Sequence, residues 1–270
     1  MHLGQMMHKR HYIIKTLRLI GVIQVNCNIN LKAQLLLFCG LSKVNNILLV
    51  ISSKKQSLRW LSLNKEIKNM IVLIDNGHGA NTPGKCSPDK QIREYSYARE
   101  IASLLEQKLK EKGITAIRIV TEENDVPLSQ RVSRVNTICR EFGSQNCCLV
   151  SIHLDAAGCD NKWHSARGFS VRVAKNASQK SKKLARLLYE QAEALNLKGN
   201  RSVPPEKYWV QNLAICRDTN CAAVLTENLF QDNKDDVAFL LSKEGKDAIV
   251  QLHLNGIINY IEENSKISQK

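Results

Sequence analysis

The sequence predicts an α/β domain built in three layers, a largely parallel central sheet flanked by helices. Three observations carry this. The runs "IVLI" (71–74) and "CCLVSI" (147–152) are continuously apolar without alternation, as strands covered on both faces require. Amphipathic helical stretches alternate with the strands, the order expected of a parallel sheet with crossover helices. Residues capable of chemistry stand where the strands end, the edge at which open α/β sheets bind ligands.

The elements follow in order. After the first strand, residues 92–112 place Ile92, Tyr95, Ile101, Leu104, Leu105 and Leu109 near one helical face, and Gly113 ends the run. "ITAIRIV" (114–120) reads as a strand. "SQRVSRVNTICREF" (129–142) reads as a helix with Ser129 as N-cap and Val132, Val135, Ile138 and Phe142 as its apolar stripe. "CCLVSIH" (147–153) is the second buried strand. "GFSVRV" (168–173) alternates, which suits a more exposed strand. Ser178 opens a helix to about Leu195, with Leu184, Leu187, Leu188 and Ala192 inward. "YWVQNLAI" (208–215) and "AAVLTEN" (222–228) read as strands. A last helix runs from about Gly245 to Glu262, with Ile249, Leu252, Ile257 and Ile261 inward. The polar segments 158–167 and 196–207 read as loops able to border a cleft.

Residues 1–69 stand apart. The chain of 270 residues has a formal charge of +14, but 1–69 hold 11 Lys and Arg against the single acid Glu66. The basic character therefore belongs to this segment, and no nucleic-acid partner is expected for the rest. The apolar runs 19–25 and 35–41 are too short for a membrane span of about 20 residues. The first is followed by "NCNIN", which fits a signal-peptide cleavage site poorly, and the bulky Phe38 before Cys39 speaks against a lipoprotein. The composition suits translation of an AT-rich leader, and Met70 stands directly before the first strand. The natural product would then begin at Met70, with an export segment as the other reading. The expected organisation is 1–69 as an uncharacterised basic segment, 70–264 as the catalytic domain and 265–270 as a polar tail. The nine cysteines are irregularly spaced and contain no CxxC, so neither a disulfide framework nor a thiolate zinc site is expected.

The stretch "IVLIDNGHGA" (71–80) sets His78 between two glycines at the end of a buried strand. Glycine permits backbone angles closed to other residues and leaves space beside the imidazole. A second buried strand ends at His153, and a third, "AVLTE", ends at Glu227. In a parallel sheet these ends lie on one edge. Two imidazoles and a carboxylate there are parts of a catalytic zinc site, and one more ligand is needed. Glu94 begins a helix after the loop that starts at His78 and can fold back over that edge.

With these residues in order, the chain resembles the zinc-dependent N-acetylmuramoyl-L-alanine amidases of the amidase_3 type. The matching strings are "IDNGHG" (74–79), "REYSYAREIASLL" (93–105), "SQRVSRVN" (129–136), "VSIHLDAA" (150–157), "ARGFSV" (166–171) and "AVLTENLFQDN" (223–233). The resemblance implies one Zn2+ per domain bound by His78, Glu94 and His153, with Glu227 as catalytic glutamate. It also implies peptidoglycan as substrate, cut between N-acetylmuramic acid and L-alanine. Zinc of this kind lowers the pKa of water to about 7, and Glu227 is suited to take a proton from that water and give it to the departing amine. The chain departs from the family's pattern in three places: Asn76 where proline is frequent, Leu154–Asp155 where a small residue and Asn are frequent, and Asn228–Leu229–Phe230 after Glu227. Asp155 could bond a ligand histidine or substrate.

Two other functions stay open at this point. One is a zinc peptidase acting on another amide. The other is a catalytically silent peptidoglycan-binding module, against which Glu227 argues, since a binder has no use for a general base. The substrate lies outside the cytoplasm and no export signal is convincing; a phage or mobile-element enzyme freed by lysis would reconcile the two. His164 reads as a solvent-exposed residue, His253 as a hydrogen-bonded residue of the core edge, and Arg167 equally as a substrate anchor or a structural ion pair.

Overall fold

The computed structural model describes residues 70–267. The expectations for 1–69 and for 268–270 lie outside the described residues. The sheet has six strands in the order β2-β1-β3-β6-β4-β5. They are β1 (Ile71–Asn76), β2 (Thr115–Arg118), β3 (Cys147–Asp155), β4 (Ser170–Val173), β5 (Trp209–Val210) and β6 (Ala222–Phe230). All neighbouring pairs are parallel except β4 with β6. The helices are α1 (Glu94–Glu111), α2 (Leu128–Phe142), α3 (Gln179–Ala194), α4 (Ala214–Arg217), α5 (Lys234–Leu241) and α6 (Lys243–Ile267).

The unalternated apolar strands are buried on both faces. Val72, Ile74, Cys148 and Val150 join the core under α1, α3 and α6, while Ile71, Leu73, Cys147 and Leu149 join the core under α2 and α4. Adjacent Cys147 and Cys148 thus serve opposite layers as small apolar side chains. Ser178 caps α3 by accepting from the Ser181 amide, as its sequence suggests.

Several elements differ from expectation. The helix over 129–142 begins at Leu128 with Pro127 as its cap residue, and Ser129 makes no capping bond. Its buried line is Arg131, Val135 and Cys139, whereas Phe142 is 45% exposed. An arginine holds the place a hydrophobic pattern passes over. On α1, Tyr97 is buried and Tyr95 is not; Tyr95 lies under the Arg99 guanidinium, 5.4 Å from the ring centroid. Strand β4 is more buried than its alternation suggests, because it pairs with a neighbour on each side. Only Trp209–Val210 of 208–215 is strand, and Ala214–Arg217 turns into a short helix. Helix α5 carries no earlier expectation, and α6 runs on to Ile267, into the stretch read as a polar tail. No described helix is long and apolar enough to cross a membrane.

Candidate metal centre and active-site edge

The central strands β1, β3 and β6 run parallel, so their carboxyl ends share one edge, with His153 directly opposite Glu227 in register. His78 lies two residues beyond β1. Its own backbone takes the left-handed conformation, with φ of 59°. The flanking glycines do not supply that conformation; they supply room. A Cβ on Gly77 would stand 2.3 Å from Cε1 of His153, and one on Gly79 would stand 1.9 Å from the Asp125 amide nitrogen. The imidazole of His153 therefore packs directly over the Gly77 backbone, and the Asp125 turn packs over Gly79.

Two guanidinium groups hold His78 in this unusual conformation. Arg99 donates to the His78 carbonyl at 3.1 Å. Arg131, 2% exposed, donates to the same carbonyl at 3.2 Å and to the Asn76 carbonyl at 2.7 Å. It also donates to Asp75 Oδ1 and Asp125 Oδ1, each at 2.7 Å, and to the Val126 carbonyl at 2.7 Å. Asp75 in turn accepts from Ser151 Oγ at 2.5 Å, which ties β1 to β3. Arg131 is thus the hub of the loop that presents His78.

Glu94 is the first residue of α1 and is 1% exposed. A carboxylate in the first turn is favoured by the helix dipole. Its Oε1 accepts from the Leu154 amide at 3.1 Å and lies 3.0 Å from His153 Nδ1 and 3.3 Å from His78 Nε2. Burial works to raise its pKa, but hydrogen bonds first from His153 and then from His78 outweigh burial and hold it well below the usual carboxylate range. Burial likewise opposes charge on His153, but the Glu94 hydrogen bond prevails and raises its pKa. The second oxygen, Oε2, is buried and accepts no hydrogen bond; the nearest cation is Lys85 Nζ at 4.0 Å.

One ligand-type atom from each of His78, Glu94 and His153 lies within 4.8 Å of the others, and among the described residues no other group of this kind occurs. The two rings meet edge to face, with centroids 5.1 Å apart. A buried carboxylate oxygen with no hydrogen bond, beside two imidazoles, fits a divalent cation of the borderline type that takes nitrogen and oxygen donors together.

Glu227 projects from β6 beside this triad. Its side chain is 12% exposed, and its only ion-pair partner among the described residues is Arg172, with Nε 3.7 Å from Oε1. Its Oε2 is buried and bonds to nothing. Burial is the main cause that raises its pKa, to about 7; the His153 charge pulls it down, Asp155 pushes it up and Arg172 pulls it down again. A cation held by the triad would act against this rise, because opposite charge favours the ionised form.

The structure brings together all four residues expected at the site. Asp155 does not bond a ligand histidine: its Oδ2 takes Arg172 Nη2 at 2.7 Å and Arg201 Nη2 in a closer contact. His164 pairs with Asp160 at 2.8 Å. Arg167 forms ion pairs with Asp235 at 3.1 Å and Asp236 at 3.3 Å, so it is engaged structurally. His253 is buried, with Nδ1 2.8 Å from the Ile249 carbonyl and Nε2 3.0 Å from Thr226 Oγ1. The neutral tautomer therefore donates from Nδ1 and accepts at Nε2. Arg131, Arg172 and Arg201 went unnoticed in the sequence. For Arg131 the one available signal is a charged residue on the inward side of a helix; Arg172 stands on a strand and Arg201 in a loop, and neither carries a local signal.

A three-layer fold that gathers two histidines and two glutamates at the carboxyl edge of its sheet has the parts of a hydrolase with a candidate metal site. Comparison with known proteins makes this specific. Residues 72–259 match the Amidase_3 family, N-acetylmuramoyl-L-alanine amidase, and the chain belongs to it. It is a cell-wall amidase, a hydrolase of C–N amide bonds. The chain is 25% identical over 198 residues to the endolysin of Bacillus phage SPP1, covering 73% of this chain and 68% of that one. It is 25% identical over 187 residues to the N-acetylmuramoyl-L-alanine amidase CwlM of Bacillus licheniformis, covering 69% and 66%. Its fold matches the catalytic domain of CwlV from Bacillus (Paenibacillus) polymyxa var. colistinus with a TM-score of 0.59 at 22% identity, over 71% of this chain and 98% of that one.

Proposed function

We propose that the metal is one zinc ion, held by His78, Glu94 and His153. In this reading Glu227 is the proton-transfer group for cleavage between the lactyl carbonyl of N-acetylmuramic acid and the nitrogen of L-alanine. The observation that carries the reading is the register that sets Glu227 opposite His153, with a buried, unbonded carboxylate oxygen on both Glu94 and Glu227. The names of the relatives support the substrate.

Bound there, zinc supplies Lewis acidity, polarising a carbonyl oxygen and acidifying water. Glu227 then has a task that its setting suits. It accepts a proton at its carboxylate as water adds to the lactyl carbon. It delivers that proton to the alanine nitrogen as the C–N bond breaks, which leaves a lactyl carboxylate and a free amine. One glycine on each side of His78 serves this arrangement: Gly77 lets the His153 ring, and Gly79 the Asp125 turn, pack against the backbone that presents His78.

The test is Glu227→Gln, which keeps size and hydrogen-bonding reach but cannot accept the proton. It should retain one zinc and lose at least about a hundredfold in rate on purified peptidoglycan, the low end for a general acid–base group. Stem peptides beginning with L-alanine should be the parent's product. Near-parental hydrolysis by the variant would end the assignment of Glu227. Cleavage elsewhere in the stem would mark a peptidase instead.

A further inference from the structure

Glu227 has almost nothing to hold it. Neither carboxylate oxygen forms a hydrogen bond of ordinary length, and Oε2 is buried without a partner. A proton carrier must nevertheless meet the reacting atoms in one orientation, because misplacement of catalytic groups by about 1 Å costs on the order of a hundredfold in rate. Among the described residues, the one ion pair it forms is with Arg172.

Arg172 is built to do this. It stands on β4, the antiparallel neighbour of β6, where Ser170 pairs with Glu227 and Arg172 with Leu225. Side chains alternate along a strand, so Arg172 and Ser170 share a face and Arg172 lies diagonal to Glu227. Its flanking residues Val171 and Val173 point the other way, into the core. The ends of the guanidinium are occupied: Nη2 donates to Asp155 Oδ2 at 2.7 Å and Nη1 donates to Gln211 Oε1. Nε is left on the side of Glu227 Oε1, 3.7 Å away. Asp155 is itself fixed from behind by Arg201, whose guanidinium lies 4.4 Å from the Phe230 ring centroid. The row Arg201–Asp155–Arg172–Glu227 alternates in charge and runs from an aromatic anchor to the reacting edge.

We infer that Arg172 is a positioning residue for the hydrolysis: it holds Glu227 by Oε1 and leaves Oε2 to exchange the proton. The separation of 3.7 Å is that of an ion pair, which closes to a hydrogen bond in the reacting complex, where catalytic contacts tighten. The inference rests on the reading of Glu227 given above.

The experiment compares Arg172→Ala, Arg172→Lys and Glu227→Gln in the zinc-loaded full chain, with kcat, KM and zinc content read for each. Arg172→Ala should bind one zinc, keep KM within about twofold and lose about tenfold to a hundredfold in kcat, a share of the acid–base contribution. Arg172→Lys, which keeps charge but cannot hold Asp155, Gln211 and Glu227 together, should fall between. Millimolar guanidinium ion should restore part of the activity of Arg172→Ala and none of that of Glu227→Gln. In the double variant, Arg172→Ala should add no loss to Glu227→Gln. Arg172→Ala with parental kcat overturns the inference; so does loss of zinc and kcat together without rescue, which would make Arg172 merely structural. If Arg172→Ala does not fold, Arg172→Lys with parental kcat overturns it instead. An active Glu227→Gln beside an impaired Arg172→Ala would instead overturn the role of Glu227.

Discussion

Replacing Arg131 by methionine should destabilise the domain and loosen the metal centre together. Arg131 and Asp75 are 2% and 1% exposed, so the pair lies away from water. Methionine fills most of the volume but leaves Asp75 with only the Ser151 hydroxyl. The Asn76 and Val126 carbonyls lose the donor described above, while the His78 carbonyl keeps Arg99. Breaking a buried pair from one side costs about 3–5 kcal/mol, because a charge stays behind uncompensated. The bond to Asp125 adds little, since that carboxylate is 41% exposed. A loss of about 4 kcal/mol is therefore expected, a large share of the roughly 5–15 kcal/mol available to a domain. The assay is urea unfolding at neutral pH in chelator, which removes stabilisation by bound metal. Asp75→Asn in the Arg131→Met background should return part of the loss, because it removes the stranded charge. Zinc affinity should fall about tenfold to a hundredfold, the usual effect of losing a group that orients a ligand. A loss below about 1 kcal/mol, or a double variant weaker than Arg131→Met alone, would refute the argument that a buried charge governs this loop.

Other outcomes follow from the site and the core. His153→Ala should hold much less zinc than the parent after dialysis and metal analysis; full occupancy would remove His153 from the ligand set. His253 has its pKa pushed down to about 4, chiefly by burial, from an ordinary value of 6.5. Between those values the unfolded chain takes up a proton that the fold refuses, so stability falls as pH drops through this window, by about 3 kcal/mol in total. His253→Gln should flatten that part of the unfolding free energy against pH, and an unchanged slope would show that other groups cause it.

The layers and the meeting of His78, His153 and Glu227 on one edge are legible because they depend on local pattern, whereas Glu94, at the start of a helix, is reached only through the loop that follows His78 and the family resemblance. An unalternated apolar run marks a strand buried on both faces, and the residue at its end is then placed on the ligand edge whatever the rest of the chain does. Helices α1 and α3 were legible by the same route. The misreadings have physical reasons. Trp209–Val210 is short because β5 pairs only with β4 at the sheet's margin. Arg131 was invisible because a buried guanidinium needs partners that lie 53 to 56 residues away in sequence. The glycines beside His78 read in the sequence as a source of backbone freedom and of open space beside the imidazole. Their cause is instead the ring of His153 and the turn at Asp125, both remote in sequence.

Asp155 shows how such distant partners change the meaning of a residue. Against the family's frequent Asn it reads as a departure next to a metal ligand. In the fold its Oδ2 receives both Arg172 and Arg201, while Oδ1 accepts from the Ala156 amide at 3.0 Å. The acid and the arginines form a set, because two guanidinium groups converging on one neutral amide oxygen would repel each other across a poorly hydrated space. Asp155→Asn should therefore cost stability, although asparagine is the commoner residue in the family's pattern. The side chains are 14–19% exposed, so the loss should fall below the fully buried range, at about 1–3 kcal/mol. Arg201→Met in the same background should recover part of it by removing one of the opposed charges and keeping an apolar side chain against Phe230. Unfolding midpoints of the parent, the single and the double variants decide the matter. If Asp155→Asn is as stable as the parent, the arginines do not depend on the carboxylate, and the charge row that backs Glu227 is held by something else.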